Sequence, residues 1–422
     1  MIYLALGANQ GNRRENLRRA IAELGQSGFR VTRVSPVVET PAMLDGNAEP
    51  DWIRPYLNCV IEGECPWSPR EGLEIAKRIE RGMGRTPGPR WSPRPIDIDL
   101  LIWGDLEIRD PDLRIPHIGI AERSFVLTPL LHLAPNLAVP GTGMTVFQLS
   151  RIADTDPLWM AIVNLTPDSF SGDGLGSNQD ELESRLERHL AQGVQILDFG
   201  AESTRPNAAP VDPEEEWRRL EPALCLARER IGGDPIGPRI SIDSRHWRTV
   251  ARALELGVDC VNDVGGLGDP KMCAMVRESG CDAVAMHSVT VPVDPDRGLP
   301  KSDSALAQVK AWIERRMEYW SDQGLDPARI IIDPGIGFGK DALQSLELVG
   351  GCRQLRDHGL RLLIGHSRKS FMKGFAGSAP DRDSETLGVS LALSGTADIL
   401  RVHDPDSHMR AYLAYRHVKP TG

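Results

Sequence analysis

The sequence predicts a small α+β domain over residues 1–150, followed by a closed parallel (β/α)8 TIM barrel over residues 157–422. Three observations lead to this reading. From Pro157 onward, short apolar runs recur, and each ends in a polar cluster. Helix-length stretches such as Asp180–Gln192 and Asp303–Gly324 lie between those runs. Finally, 422 residues accommodate a barrel of about 250 residues together with one further domain.

In the first domain, IYLALGA reads as a strand and Asn12–Gly25 as a helix. FRVTRVSPVVET and YLNCVIEGEC read as two more strands, Ser68–Gly84 as a second helix, and Ile96–Gly104 as the closing strand. This order, strand–helix–strand–strand–helix–strand, is the split βαβ arrangement of ferredoxin-like folds. Ala138–Pro157 has turn residues and no long periodicity, so the domain boundary is expected there, with a short linker.

In the second domain, WMAIV ends at Asn164, QILDF at Gly200, RISI at Asp243 and DCV at Asn262. DAVAM then ends at His287, ARIII at Asp333, LRLLI at Gly365 and ADILRV at His403. Short apolar runs bounded by turn signals suit buried parallel strands. In such a barrel the loops after the strands' C-terminal ends gather on one rim, where the chemistry collects. Every polar cluster falls on that rim, whereas chance would scatter them over both ends.

Composition narrows the function. A hydrophobic share of 41% suits packed cores and excludes disorder for most of the chain. A formal net charge of −10 argues against nucleic acid as the main partner, so anionic ligands must use local basic sites. Seven scattered cysteines without a Cys-x-x-Cys pair read as reduced and intracellular. Met1 opens directly into a strand, and no apolar run approaches the roughly 18 residues of a membrane span. A cytoplasmic protein is expected.

The chemical centre of the first domain is RWSPRPIDIDLLIWG. In a strand, Asp97 and Asp99 share one face while Ile96, Ile98 and Leu100 take the other. Two carboxylates on one face suit Mg²⁺ held jointly with nucleotide phosphates. An isolated Asp-x-Asp is more often a solvated pair on an edge strand. Here Arg85, Arg90 and Arg94, with Trp91 among them, lie in an irregular Pro/Gly-rich stretch just upstream. An arginine loop beside paired acids is how a phosphoryl-transfer site neutralises developing charge.

GANQGN, Glu39-Thr40-Pro41, PYLNCV, RIERGMGR, RWSPRPIDIDLL and IPHIGIAERSF, in that order, resemble 6-hydroxymethyl-7,8-dihydropterin pyrophosphokinase over residues 1–150. The resemblance implies transfer of pyrophosphate from ATP to the pterin's hydroxymethyl group, with release of AMP. It implies that Asp97 and Asp99 bind Mg²⁺ bridging the ATP phosphates, and that Arg85 and Arg94 close over the triphosphate. Glu80, His117 and Arg123 would contact the nucleotide, and Thr40, Tyr56, Asn58, Trp91 and Phe125 the pterin. Two positions depart from the family: GAN replaces the frequent Gly-Ser-Asn, and Ile118 follows His117 where Pro or Tyr is common.

The barrel's loop motifs are NLTPDSFS, GAESTRP, IDSR, VNDVGG, DPGIGFGK, GHSRKS and RVHD. Ser367, Lys369, Arg401 and His403 come from the last two strands, where barrels often bind phosphate. Asp243, Asn262 and Asp333 offer the donors and acceptors that read a 2-amino-4-oxo heterocycle. GIGFGK is no Walker loop, because Pro334 stands where glycine is needed and Asp341 where Ser or Thr is needed. ESTRP alone could be a helix cap with a turn.

Taken in order, these motifs resemble dihydropteroate synthase over residues 157–422. The resemblance implies condensation of the pterin pyrophosphate with p-aminobenzoate, the substrate that sulfonamides mimic, to give dihydropteroate and pyrophosphate. Asp243, Asn262, Asp333 and Lys369 would bind the pterin, with Arg401 stacked on its face. Asn164 would ligate the Mg²⁺ that accompanies the pyrophosphate, and His403 would contact that anion. Thr204, Arg205, Pro206, Phe338 and Ser367 would shape the p-aminobenzoate pocket. FSGDG stands where FSDGG is usual, which moves the loop acid to Asp173; Asn207 and His366 are further departures.

A pterin-dependent methyltransferase barrel would share the Asp–Asn–Asp set but has no use for ESTRP or SRKS. A fusion with one degenerate, binding-only half is opposed by Asp97/Asp99 and by Lys369/Arg401/His403. The expected partners are ATP, the pterin and p-aminobenzoate, with neither nucleic acid nor membrane, and with room for a homodimer through the barrel.

Overall fold

The computed structural model describes residues 1–44, 48–89, 91–153, 155–165, 175–202, 210–375 and 382–419. The chain divides into two compact units. One comprises Met1–Asp156, Asp234–Gly237 and Tyr412–Gly422; the other comprises Pro157–Gly233 and Pro238–Ala411.

The first unit contains β1 (Ile2–Ala8), α1 (Arg13–Gln26), β2 (Arg30–Val34), β3 (Val38–Thr40), β4 (Tyr56–Glu64), α2 (Pro69–Gly82) and β5 (Asp97–Trp103). After these come β6 (Ile108–Arg109), β7 (Arg114–Ile115), α3 (Ser124–Leu133), β8 (Ala138–Val139), β9 (Met144–Thr145) and α4 (Val146–Ile152). The main sheet runs β2-β4-β1-β5, with β3 also on β4, and its pairs are antiparallel. This is the expected split βαβ order.

Period-2 alternation buries both faces of β1. Leu4, Leu6 and Ala8 pack with Leu17 and Leu24 of α1, while Tyr3 and Ala5 join Val126, Leu127 and Leu130 of α3. α1 is capped by Asn12, whose side chain accepts from the Glu15 N–H. α2 begins with Pro69 after a Ser68/Glu71 capping box.

Two expectations need correction. FRVTRVSPVVET is not one strand. Ser35 and Pro36 separate β2 from β3, where the Ser35 hydroxyl accepts from the Val60 N–H at 2.9 Å and proline has no N–H for the ladder. The segment from Ala138 to Pro157 is not merely turns either. Thr145 and Gln148 form a capping box that starts α4, a signal present in TVFQ but overlooked because the helix has only seven residues.

In the second unit the strands are β10 (Leu158–Asn164), β11 (Ile196–Gly200), β12 (Arg239–Asp243), β13 (Cys260–Asp263), β14 (Asp282–Met286), β15 (Ile330–Asp333), β16 (Arg361–Ile364) and β17 (Ile399–Val402). They close in that order into a parallel barrel. The helices are α5 (Leu175–Gln192), α6 (Pro213–Ile231), α7 (Trp247–Glu255), α8 (Pro270–Ser279), α9 (Ala305–Asp322), α10 (Ala342–Gly351), α11 (Asp383–Leu393) and α12 (Pro405–Val418), the last of which belongs to the first unit from Tyr412 onward. All eight expected strands are present. Register matters for the site: Asn164 lies level with Gly200, Gly200 with Asp243, and Asp243 with Asn262, across four adjacent strands.

Candidate active sites

In the first unit, antiparallel register assembles the site around β1. Gly7 lies between Asn58 on β4 and Asp97 on β5, and Ala5 faces Asp99. A Cβ on Gly7 would meet Asn58 Oδ1 at 2.9 Å, so only glycine lets the Asn58 amide occupy this place. Asn58 donates from Nδ2 to Thr40 Oγ1 at 2.9 Å, and both residues are buried. Asp97, Asp99, Arg94, Tyr56, Trp91 and Phe125 line the same cavity.

Arg94 donates to Asp97 from Nη1 at 3.0 Å, and Arg85 also donates to it. Burial opposes ionisation of Asp97, but Arg94 and Arg85 outweigh it and hold the carboxyl below its ordinary range. Asp99 is pushed the other way, first by burial and then by the charge of Asp97. His117 Nε2 and Arg123 Nη1 each stand 3.9 Å from it. His117 Nδ1 accepts from the Gly119 N–H at 3.2 Å, so the neutral ring carries its proton on Nε2, toward Asp99. Burial lowers its pKa despite the pull of Asp99.

Arg123 lies 5.8 Å from the Trp91 ring centroid and 5.6 Å from that of Phe125, joining the two aromatic walls. Glu80 lies below the pair at 1% exposure. It accepts from the Ile98 N–H at 2.9 Å and pairs with Lys77 and Arg85 at 3.0 and 2.6 Å. Asn9, overlooked within GANQGN, accepts from the Arg94 N–H at 2.8 Å and pins the arginine stretch to β1. Asp99 also lines a second cleft with Lys77, Ile98, Leu100 and His117.

At the barrel's C-terminal rim, Arg401 Nη2 donates to Asp243 Oδ2 at 2.7 Å. Its Nε donates to Asp198 Oδ2 at 2.6 Å, and Asn262 Nδ2 donates to the same oxygen at 3.1 Å. Burial pushes Asp243 above the usual carboxylate range, with Arg401 opposing. Asp333 accepts from the Gly335 N–H at 2.7 Å. Lys369 stands 4.4 Å from the Phe338 ring centroid, and burial lowers its pKa to about 8 against the pull of Asp333.

The expected anion set separates into two groups. Ser367 Oγ and His403 Nδ1 lie 2.9 Å apart, whereas Arg401 and Lys369 are drawn by Coulomb attraction toward Asp243 and Asp333. Burial, reinforced by Arg368 and Arg401, drives His403 down to about 3, so its ring is neutral near pH 7. Asn164 is half-buried at the end of β10. Asp173, Thr204, Arg205, Pro206 and Asn207 lie outside the described residues, as does Arg90.

In the barrel, sequence reading missed two further residues. Lys340, inside the rejected GIGFGK, donates from Nζ to the carbonyls of His287, Gly335 and Phe338 at 3.0, 2.9 and 3.0 Å. Asp198 was taken as part of an apolar strand. A lone acid inside QILDF was the available signal, because a buried carboxylate requires donors.

The first unit sets paired acids beside an aromatic cavity, and the barrel's rim sets acids and an amide against arginine and lysine. Residues 3–135 match the family model of 7,8-dihydro-6-hydroxymethylpterin-pyrophosphokinase, and residues 160–403 match that of the pterin binding enzymes. The folate synthesis bifunctional protein of Chlamydia trachomatis is 37% identical, with 98% of this chain and 97% of the relative covered. The mitochondrial folate synthesis bifunctional protein of Arabidopsis thaliana is 33% identical over 96% of this chain and 80% of its own.

Among solved structures, dihydropteroate synthase of Anaplasma phagocytophilum with bound 6-hydroxymethylpterin-monophosphate is 31% identical at a TM-score of 0.55. That match covers 63% of this chain and 99% of the relative. The Xanthomonas albilineans enzyme with 4-aminobenzoic acid is 30% identical at 0.57, covering 63% and 94%. The chain belongs to the bifunctional folate-synthesis family, joining a pyrophosphokinase to a dihydropteroate synthase. Among the described residues, no helix is long and apolar enough to cross a membrane.

Proposed function

We propose that the first unit transfers pyrophosphate from ATP to 6-hydroxymethyl-7,8-dihydropterin, and that the barrel condenses the product with p-aminobenzoate. The observation that supports this most is the position of Asp99. It lines the aromatic cavity, which suits the pterin, and also the cleft with Lys77 and His117, which suits the nucleotide. In the first reaction the pterin hydroxyl oxygen bonds to the β-phosphorus and loses its proton, while the bond to the α-phosphate oxygen breaks and AMP leaves.

Asp97 and Asp99 fit Mg²⁺, because burial and the neighbouring Asp97 both act against the charge of Asp99, while His117 and Arg123 approach it only to 3.9 Å. Bound there with ATP, the metal would neutralise phosphate charge. Arg85 and Arg94, on Asp97 without substrate, are the groups that turn to the triphosphate. Glu80 holds Arg85 from below. His117 and Arg123 face the nucleotide's phosphates across Asp99, and Asn58, Thr40, Tyr56, Trp91 and Phe125 orient the ring.

In the barrel, the methylene–oxygen bond of the pterin pyrophosphate breaks first, leaving positive charge on a methylene conjugated with an electron-rich ring. The arylamine nitrogen then bonds to that carbon and loses a proton. Asp243, Asn262, Asp333 and Lys369 hold the ring, and Arg401 lies on its face. Ser367 and His403 donate to the departing anion, which Asn164 would help bind together with Mg²⁺. The family motifs assign Phe338, Thr204, Arg205 and Pro206 to p-aminobenzoate and Asp173 to the cation.

One coupled assay tests both halves. Supplied with Mg-ATP, the hydroxymethyl pterin and p-aminobenzoate, the protein should release AMP and form dihydropteroate. AMP without dihydropteroate would refute the barrel assignment.

A further inference from the structure

Asp198 sits in the middle of β11, level with Ile162 on β10 and Ser241 on β12, two residues before Gly200. Strand alternation therefore puts it on the same face as the rim residues and one side-chain layer deeper. It is fully buried. One of its oxygens, Oδ2, takes both the Arg401 Nε–H at 2.6 Å and an Asn262 Nδ2–H at 3.1 Å. The other, Oδ1, is buried with no hydrogen-bond partner among the described residues.

We infer that Asp198 is a positioning residue that fixes which faces of Arg401 and Asn262 meet the pterin ring, and so sets the barrel's ring specificity. This rests on the pterin reading of the barrel given above. Arg401 is fastened at two points, by Asp198 at Nε and by Asp243 at Nη2, which fixes the plane of its guanidinium. That plane is the surface on which a flat ring can stack.

For Asn262 the consequence is more specific. An amide can present either its oxygen or its nitrogen, and the neighbouring acceptor decides which. Because Nδ2 is committed to Asp198, Oδ1 is left as an acceptor for the ligand. An acceptor there matches the N–H of a pterin's 2-amino group and is mismatched to a ring that carries a carbonyl oxygen at that position. Without Asp198 the amide is free to turn and offer either group.

The test measures ring preference by calorimetry. The probes are 6-hydroxymethylpterin monophosphate and its lumazine counterpart, in which oxygen replaces the 2-amino group. Wild type should favour the pterin strongly. Asp198→Ala should reduce that preference at least about tenfold, the factor expected when one buried hydrogen bond loses its direction. Asp198→Asn, which keeps the shape, should reduce it several-fold. The KM for p-aminobenzoate should stay within about twofold, which separates positioning from general damage. Folded Asp198→Ala that retains the wild-type preference would overturn the inference. If the alanine variant does not fold, an unchanged preference in Asp198→Asn overturns it instead. Wild type that forms no dihydropteroate would sink the reading of the barrel itself, an outcome distinct from active protein with unaltered ring preference in the variants.

Discussion

The Lys369 ammonium stands 4.4 Å from the centroid of the Phe338 ring. The two side chains come from the loops after β16 and β15, adjacent strands of the barrel. Lys369 belongs to the proposed pterin site and Phe338 to the proposed p-aminobenzoate site, so this cation–π contact joins the two substrate positions.

Lys369→Ala should weaken binding of the pterin pyrophosphate, since losing a charged hydrogen bond costs about 2–3 kcal/mol. Burial brings the lysine down to about 8, so its charge is present below that pH and lost above it. The KM for pterin pyrophosphate should therefore rise as pH climbs through about 8. Lys369→Arg should remove that limb, because arginine stays charged. A KM profile unchanged in Lys369→Arg would show that another group titrates.

Asp97→Ala should abolish AMP release, because Asp99 alone cannot match the paired acids against the triphosphate charge. Given ready-made pterin pyrophosphate, the same variant should still make dihydropteroate. Loss of both activities in a folded variant would contradict separate sites.

His366 is buried, and its Nε2 lies 2.7 Å from Ser390 Oγ, which in turn lies 2.8 Å from His408 Nδ1. Burial, then His408, lowers the His366 pKa from 6.5 to about 4. A depressed histidine favours the fold fully above its unfolded pKa, and that contribution is lost as pH falls from 6.5 toward 4. Between about pH 7.5 and 5 the loss should reach ~2 kcal/mol in urea denaturation. His366→Gln should shrink that pH dependence; an equal slope in variant and wild type would place the acid sensitivity elsewhere.

Lys340→Met would leave three buried carbonyls without their shared donor. The expected destabilisation is about 2–4 kcal/mol, read as a lowered Tm. Phe338 should shift with the loop and raise the KM for p-aminobenzoate more than that for the pterin pyrophosphate. Equal changes in both KM values would argue against a local effect.

Much of this architecture is legible in the chain alone, because the signals are local. Period-2 alternation put Asp97 and Asp99 on one face, and each barrel strand was visible as an apolar run ending in a polar cluster. The small strand break at Ser35-Pro36 and the short helix α4 were missed, since one hydroxyl and one capping box decide them.

What only the tertiary structure decided is which charges meet. Strand order grouped Arg401 with Ser367, Lys369 and His403, and the family resemblance set it beside the pterin, but only closure of the barrel pairs it with Asp198, 203 positions away along the chain, and with Asp243, 158 away. Local patterning records secondary structure and the rim to which a loop belongs. It does not record the depth of a side chain inside the barrel or the partner that neutralises it. Asp198 lies hidden in an apolar strand for that reason: a buried carboxylate is stable only beside donors that other strands bring to it.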